Sequence, residues 1–191
     1  MEPLIMLVAV TALLWLLGAL GAQALRHFPT ALRGGLAAMF ALTGVSHFIG
    51  MREELIAMVP DFVPTPELAV TATGLVELAG AIGLLIPRLA GLSAAGLTLL
   101  LIGVFPANIA LALSDAPLPW YDELLWRTLT QLVFLAATSA VVIDRRRAGF
   151  AYRAAGHHSP AAHSQMPTDP TSPLPDHTSE SAEQPRGSGR A

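Results

Sequence analysis

Apolar residues in this chain fall into long blocks, neither alternating like a half-buried strand nor confined to one stripe like a surface helix. Five blocks, at residues 3–25, 33–50, 68–86, 89–113 and 124–143, carry few charges each. A hydrocarbon layer of about 30 Å crossed at about 1.5 Å per residue takes about 20 residues, so each block predicts a transmembrane helix. The second is the shortest and most polar. One block alone would also suit the core helix of a soluble protein, but five joined by short connections would not. The expected fold is all-α, a polytopic bundle of five spans. It divides into an N-terminal span and basic loop (1–32), a four-helix core (33–147) and a C-terminal tail (148–191).

The connections set an expected orientation, because cytoplasmic loops collect basic residues while acidic ones count little. With the N-terminus outside, the inner side receives Arg26, Arg33, Arg88 and the run Arg145, Arg146 and Arg147. The outer side receives Arg52 and Arg127 among Glu53, Glu54, Asp61, Glu67, Asp115, Asp122 and Glu123. Trp120, Tyr121 and Trp126 fall where an outer aromatic belt belongs. The first block also admits a signal-peptide reading through Ala22-Gln23-Ala24, but its amino end has no basic residue and cleavage would leave Arg26 and Arg33 outside. The connection at 51–67, stiffened by Pro60, Pro64 and Pro66, reads equally as an interfacial segment capping the outer mouth or as an ordinary tight link. From Gly156 onward, Pro, Ser, Thr and His replace large apolar residues, which predicts a disordered cytoplasmic tail. Its histidines, at 157, 158, 163 and 177, follow no ligand spacing, so no metal site is expected.

Composition narrows the chemistry. Hydrophobic residues make up 53% and charged ones 13%, so water is not the main solvent. A formal charge of -3 and scattered arginines argue against nucleic acid. The absence of cysteine removes disulfides, thiolate metal sites and thiol redox chemistry, and no cofactor is intrinsic to the chain. All 11 basic residues are Arg, which beside abundant Ala, Gly and Pro matches the usage of GC-rich bacterial genomes, and the expected location is a bacterial inner membrane.

Polar side chains inside spans are costly and mark function or buried pairing. His47 lies near the outer end of the second block, Glu77 near the middle of the third, Asn108 in the fourth, and Arg127 with Gln131 in the fifth. Counted inward from the outer boundaries they reach depths of roughly 5 to 15 Å, which allows one layer. Thr43, Ser46 and His47 share one side of their helix, as do Thr73, Gly74, Glu77, Gly80 and Gly83, and Arg127, Gln131 and Thr138. Pro106 frees the carbonyl of Ile102 and should bend its helix beside Asn108. Glu77 is the expected centre, accepting hydrogen bonds from His47 or Asn108, with Arg127 either reaching inward or snorkelling outward. Interhelical hydrogen bonding without further function is the plain alternative for His47, Asn108 and Gln131.

These residues lie in Thr43-Gly44-Val45-Ser46-His47-Phe48, Met58-Val59-Pro60, Gly74-Leu75-Val76-Glu77-Leu78-Ala79-Gly80-Ala81-Ile82-Gly83-Leu84-Leu85-Ile86-Pro87 and Phe105-Pro106-Ala107-Asn108-Ile109. Through them the chain resembles the DoxX family of small membrane proteins over roughly residues 33–143. The resemblance implies a four-helix core with an added leading helix and a role beside a respiratory or sulfur redox enzyme, with a quinone as a candidate ligand. The leading expectation is therefore a membrane subunit, without activity of its own, that binds a quinone or similar amphiphile for a membrane or peripheral redox partner. An enzyme using Glu77 and His47 as acid and base, a carrier whose symmetry a homo-oligomer would supply, and a structural or assembly factor are the alternatives.

Overall fold

The computed structural model describes residues 2–60, 63–112 and 124–156. Every regular element among them is helical: α1 (Glu2–Ala19), a 3-10 turn (Gln23–Leu25), α2 (Phe28–Ser46), α3 (Arg52–Ala57), α4 (Pro66–Leu85), α5 (Ala90–Ala112) and α6 (Leu124–Gly156). All but α3 and the 3-10 turn are long and apolar enough to cross a membrane.

Local signals account for the boundaries. α1 ends ahead of Gly21, whose φ of 130° suits a residue without a side chain, and the chain then folds back onto Gly18. Pro29 in the first turn of α2 and Pro66 at the start of α4 sit where a missing N–H costs nothing. α2 therefore begins at Phe28 rather than at residue 33, and Arg33 lies inside the helix instead of in the basic inner connection. α1 packs along α2, with Leu7 and Thr11 buried, as a member of the bundle. α6 differs most from expectation. It runs past Ile143 through the three arginines to Gly156, so the tail expected from residue 148 is helical at its start. Asp61, Phe62, Asp115, Trp120, Tyr121, Asp122, Glu123 and the histidines at 157, 158, 163 and 177 lie outside the described residues.

α2, α4, α5 and α6 close a ring through the contacts α2 with α4, α4 with α5, α5 with α6 and α6 with α2, and α1 lies outside against α2. The seams repeat at alternating four- and three-residue steps, the pattern of helices meeting at a shallow angle. On α4 the seam is Val70, Gly74, Glu77, Ala81 and Leu84; on α2 it is Arg33, Ala37, Phe40, Gly44 and His47. Arg127, Gln131, Phe134, Thr138, Val141 and Arg145 form the α6 seam, facing Ala90, Ala94, Leu97 and Leu101 of α5. Leu36, Phe40, Leu84, Leu97, Phe134 and Val141 fill the centre, while Leu75, Ile82, Leu92, Leu99 and Leu132 face outward, as an apolar solvent requires.

The α2 seam is apolar in its middle, with Arg33 at one end and His47 at the other. At one end Arg33, only 8% exposed, donates from Nε to the Leu84 carbonyl at 3.0 Å and from Nη2 to the Leu85 carbonyl at 3.4 Å. Those carbonyls close α4 and have no helical donor left, so a guanidinium is a strong partner for them. The opposite end holds the candidate site.

Candidate functional site

Two glycines bring α2 and α4 together there. A Cβ on Gly44 would meet Leu78 at 2.8 Å and the Gly74 carbonyl at 3.2 Å, and one on Gly74 would meet the His47 Cβ at 2.6 Å. Small residues at such a crossing allow backbones to approach without a hydrophobic drive. The glycine face of α4 is divided, since Gly80 receives Leu97 and Gly83 receives Ser93, both from α5.

At this crossing His47 Nδ1 lies 3.7 Å from Glu77 Oε2, with the two side chains 12% and 14% exposed. The hydrogen bond of Nδ1 goes instead to the Thr43 carbonyl at 2.8 Å. A carbonyl only accepts, so Nδ1 carries the hydrogen and the ring is held in one tautomer and one orientation. Glu77 Oε2 is buried and has no hydrogen-bond partner among the described residues. The hydroxyls of Ser46 and Thr73 do not supply one. Ser46 Oγ donates to the Thr43 carbonyl at 2.6 Å, and Thr73 Oγ1 bonds back to Ala69 and Val70 at 3.0 and 2.9 Å. Thr43 Oγ1 is shared between the Phe40 carbonyl, at 3.4 Å, and the Glu77 carboxyl group. Arg52 ties the connection to the same end of the bundle, donating to the His47 carbonyl and to Thr71 Oγ1, both at 3.2 Å.

The expected layer is two pairs on two helical hairpins. Asn108 Oδ1 accepts from Arg127 Nη1 at 3.4 Å rather than bonding to Glu77, so Arg127 reaches across to α5. Gln131 Nε2 donates to the Leu101 carbonyl at 2.7 Å, next to the Ile102 carbonyl that Pro106 leaves without its helical donor. The hairpin order places both pairs at the same end of the ring, opposite Arg33. Among the described residues Glu77 Oε2 and, on α1, Thr11 Oγ1 are the buried side-chain atoms without a hydrogen-bond partner, while Gln131, Arg127 and Asn108 are engaged between α5 and α6.

Sequence reading missed the role of Arg33. The signal was present in Phe28-Pro29, which starts α2 early enough to put Arg33 on the stripe of Ala37, Phe40 and Gly44.

A family described as a domain of unknown function (DUF8561) matches residues 36–143. No curated protein and no solved structure matches the chain. This match overturns the resemblance to DoxX over the same stretch. Glycine on packing faces, proline in a span and isolated polar residues recur wherever membrane helices pack closely, so motifs built from them carry little family information.

Proposed function

The chain belongs to the DUF8561 family, a domain of unknown function, and we propose that its bundle binds the polar head of a small amphiphile at Glu77 and His47 and acts as a non-catalytic membrane subunit. One observation carries this reading: the buried Glu77 Oε2 has no donor among the described residues. A buried acceptor left unmade costs on the order of 1 to 3 kcal/mol. A ligand hydroxyl or ammonium hydrogen would remove that cost, and the fixed His47 ring beside it would set the orientation of the head group. A quinol fits this chemistry better than a quinone, because its hydroxyls donate whereas quinone oxygens only accept. The redox partner rested on the DoxX resemblance and is not part of the proposal. We place the protein in a bacterial cytoplasmic membrane, with the Glu77 end and the N-terminus outward and the arginine-rich end of α6 in the cytoplasm, on the strength of the arginine distribution.

The test is purification in mild detergent of the wild-type and Glu77→Gln proteins, with mass spectrometry of the small molecules each retains. Glutamine preserves size, so thermal unfolding should be unchanged while a hydroxyl-bearing or cationic amphiphile is lost. Equal retention by both proteins refutes the site. A structural clamp is the second reading, favoured by the ion-pair distance of 3.7 Å between His47 and Glu77. In that case Glu77→Gln lowers stability and neither protein carries a ligand.

A further inference from the structure

A second site lies at the other end of the ring, independent of Glu77. A cleft of about 330 Å³ opens between the start of α5 and α6, lined by Gly91, Leu92, Ala95, Val142, Arg145 and Arg146. Its walls differ in chemistry along the helix axis. Leu92, Ala95 and Val142 form an apolar channel toward the middle of the bundle, and the two arginines stand at its mouth. Gly91 keeps the channel open, since a Cβ there would lie 3.1 Å from the Arg145 Cβ.

The charge balance at the mouth is uneven. Arg145 donates from Nε and Nη2 to the same oxygen of Asp144, at 3.0 and 2.9 Å, which pins the guanidinium and leaves its Nη1 edge for another acceptor. Arg146 is exposed and makes no ion pair among the described residues. Two guanidiniums, one of them paired with a carboxylate, therefore stand beside an apolar channel. Leu92 and Ile143, 75% and 48% exposed, continue the apolar surface around the cleft.

We propose that this cleft holds an anionic phospholipid, its headgroup phosphate between Arg145 and Arg146 and its acyl chain along Leu92, Ala95 and Val142. The occupant is a lipid rather than free phosphate because the channel below the arginines is apolar and faces the bilayer side of the bundle. Basic pockets between membrane helices at the cytoplasmic surface suit such head groups. Arginine also offers a planar fork matched to phosphate oxygens.

The experiment uses the full chain in nanodiscs of equimolar phosphatidylglycerol and phosphatidylcholine, extracted and weighed by native mass spectrometry, with a parallel thermal-shift series in inorganic phosphate. Retained phosphatidylglycerol should exceed phosphatidylcholine. Each of Arg145→Gln and Arg146→Gln should reduce that preference by about five-fold, the effect of one arginine near an anionic surface. Ala95→Phe, which fills the channel and leaves the charges in place, should remove bound lipid while thermal unfolding stays within the wild-type range. Equal retention of the two lipids, undiminished preference in Arg146→Gln, or stabilisation by inorganic phosphate that Ala95→Phe does not alter would each overturn the proposal.

Discussion

Arg33 and Glu77 are both ionisable groups on the α2/α4 seam, and they have opposite fates. Arg33 finds the terminal carbonyls of α4, whereas Glu77 Oε2 has no donor among the described residues. Arg33→Met keeps an unbranched apolar stem and removes the donors, leaving the Leu84 and Leu85 carbonyls unmet. Unfolding in detergent should show a loss of about 1 to 2 kcal/mol, since bonds from charged donors are strong in water but average less between membrane helices. A variant as stable as wild type would mean that water already serves those carbonyls. Glu77 and His47 were legible in the sequence because ionisable residues are rare within spans. Their geometry was not. Sequence cannot tell that Nδ1 of His47 turns to the Thr43 carbonyl, or that Asn108 faces α6 rather than α4, because both depend on how each helix is rotated.

At the scale of helices, the α2/α4 crossing depends on Gly44 and Gly74, and other glycines of the bundle test that dependence by contrast. Gly74→Ala puts a methyl 2.6 Å from the His47 Cβ, a main-chain-anchored atom that cannot swing aside. The cost should be about 1 to 3 kcal/mol, the usual range for overpacking. Separation of the helices should also abolish amphiphile retention. Gly96 and Gly103 of α5 have nothing within 4 Å of a Cβ, so alanine at either should be neutral or stabilising by up to about 1 kcal/mol through helix propensity. Similar losses at all three positions would show that the crossing is not specially close. Five long helices were readable from hydropathy alone, because apolar length is what a bilayer demands. Their ends were less readable. A helix leaving the membrane needs no apolar residues, so the hydrophobic block of α6 stopped at 143 while the helix continues to Gly156.

For the whole molecule, reporter fusions after Asp115 and after Gly156 should report opposite sides of the membrane, with the latter cytoplasmic, and the same side for both would refute the proposed five-span topology. The ring of four helices also has a temporal implication. α2 is the least hydropathic of the five long helices and carries Arg33 within it, while the carbonyls that receive Arg33 belong to α4, made later in synthesis. A nascent chain ending at Gly50 therefore presents the insertion machinery with a guanidinium that has no carbonyl to meet. Such a chain should integrate α2 poorly, as judged by carbonate extraction, and a chain extended through Pro87 should integrate it well. Replacing Arg33 with Leu in the shorter chain should restore integration without α4. Full integration of the unaltered short chain would show that α2 enters unaided; otherwise α2 gains its place in the bilayer only after α4 has been synthesised, and the early nascent chain is its most vulnerable form.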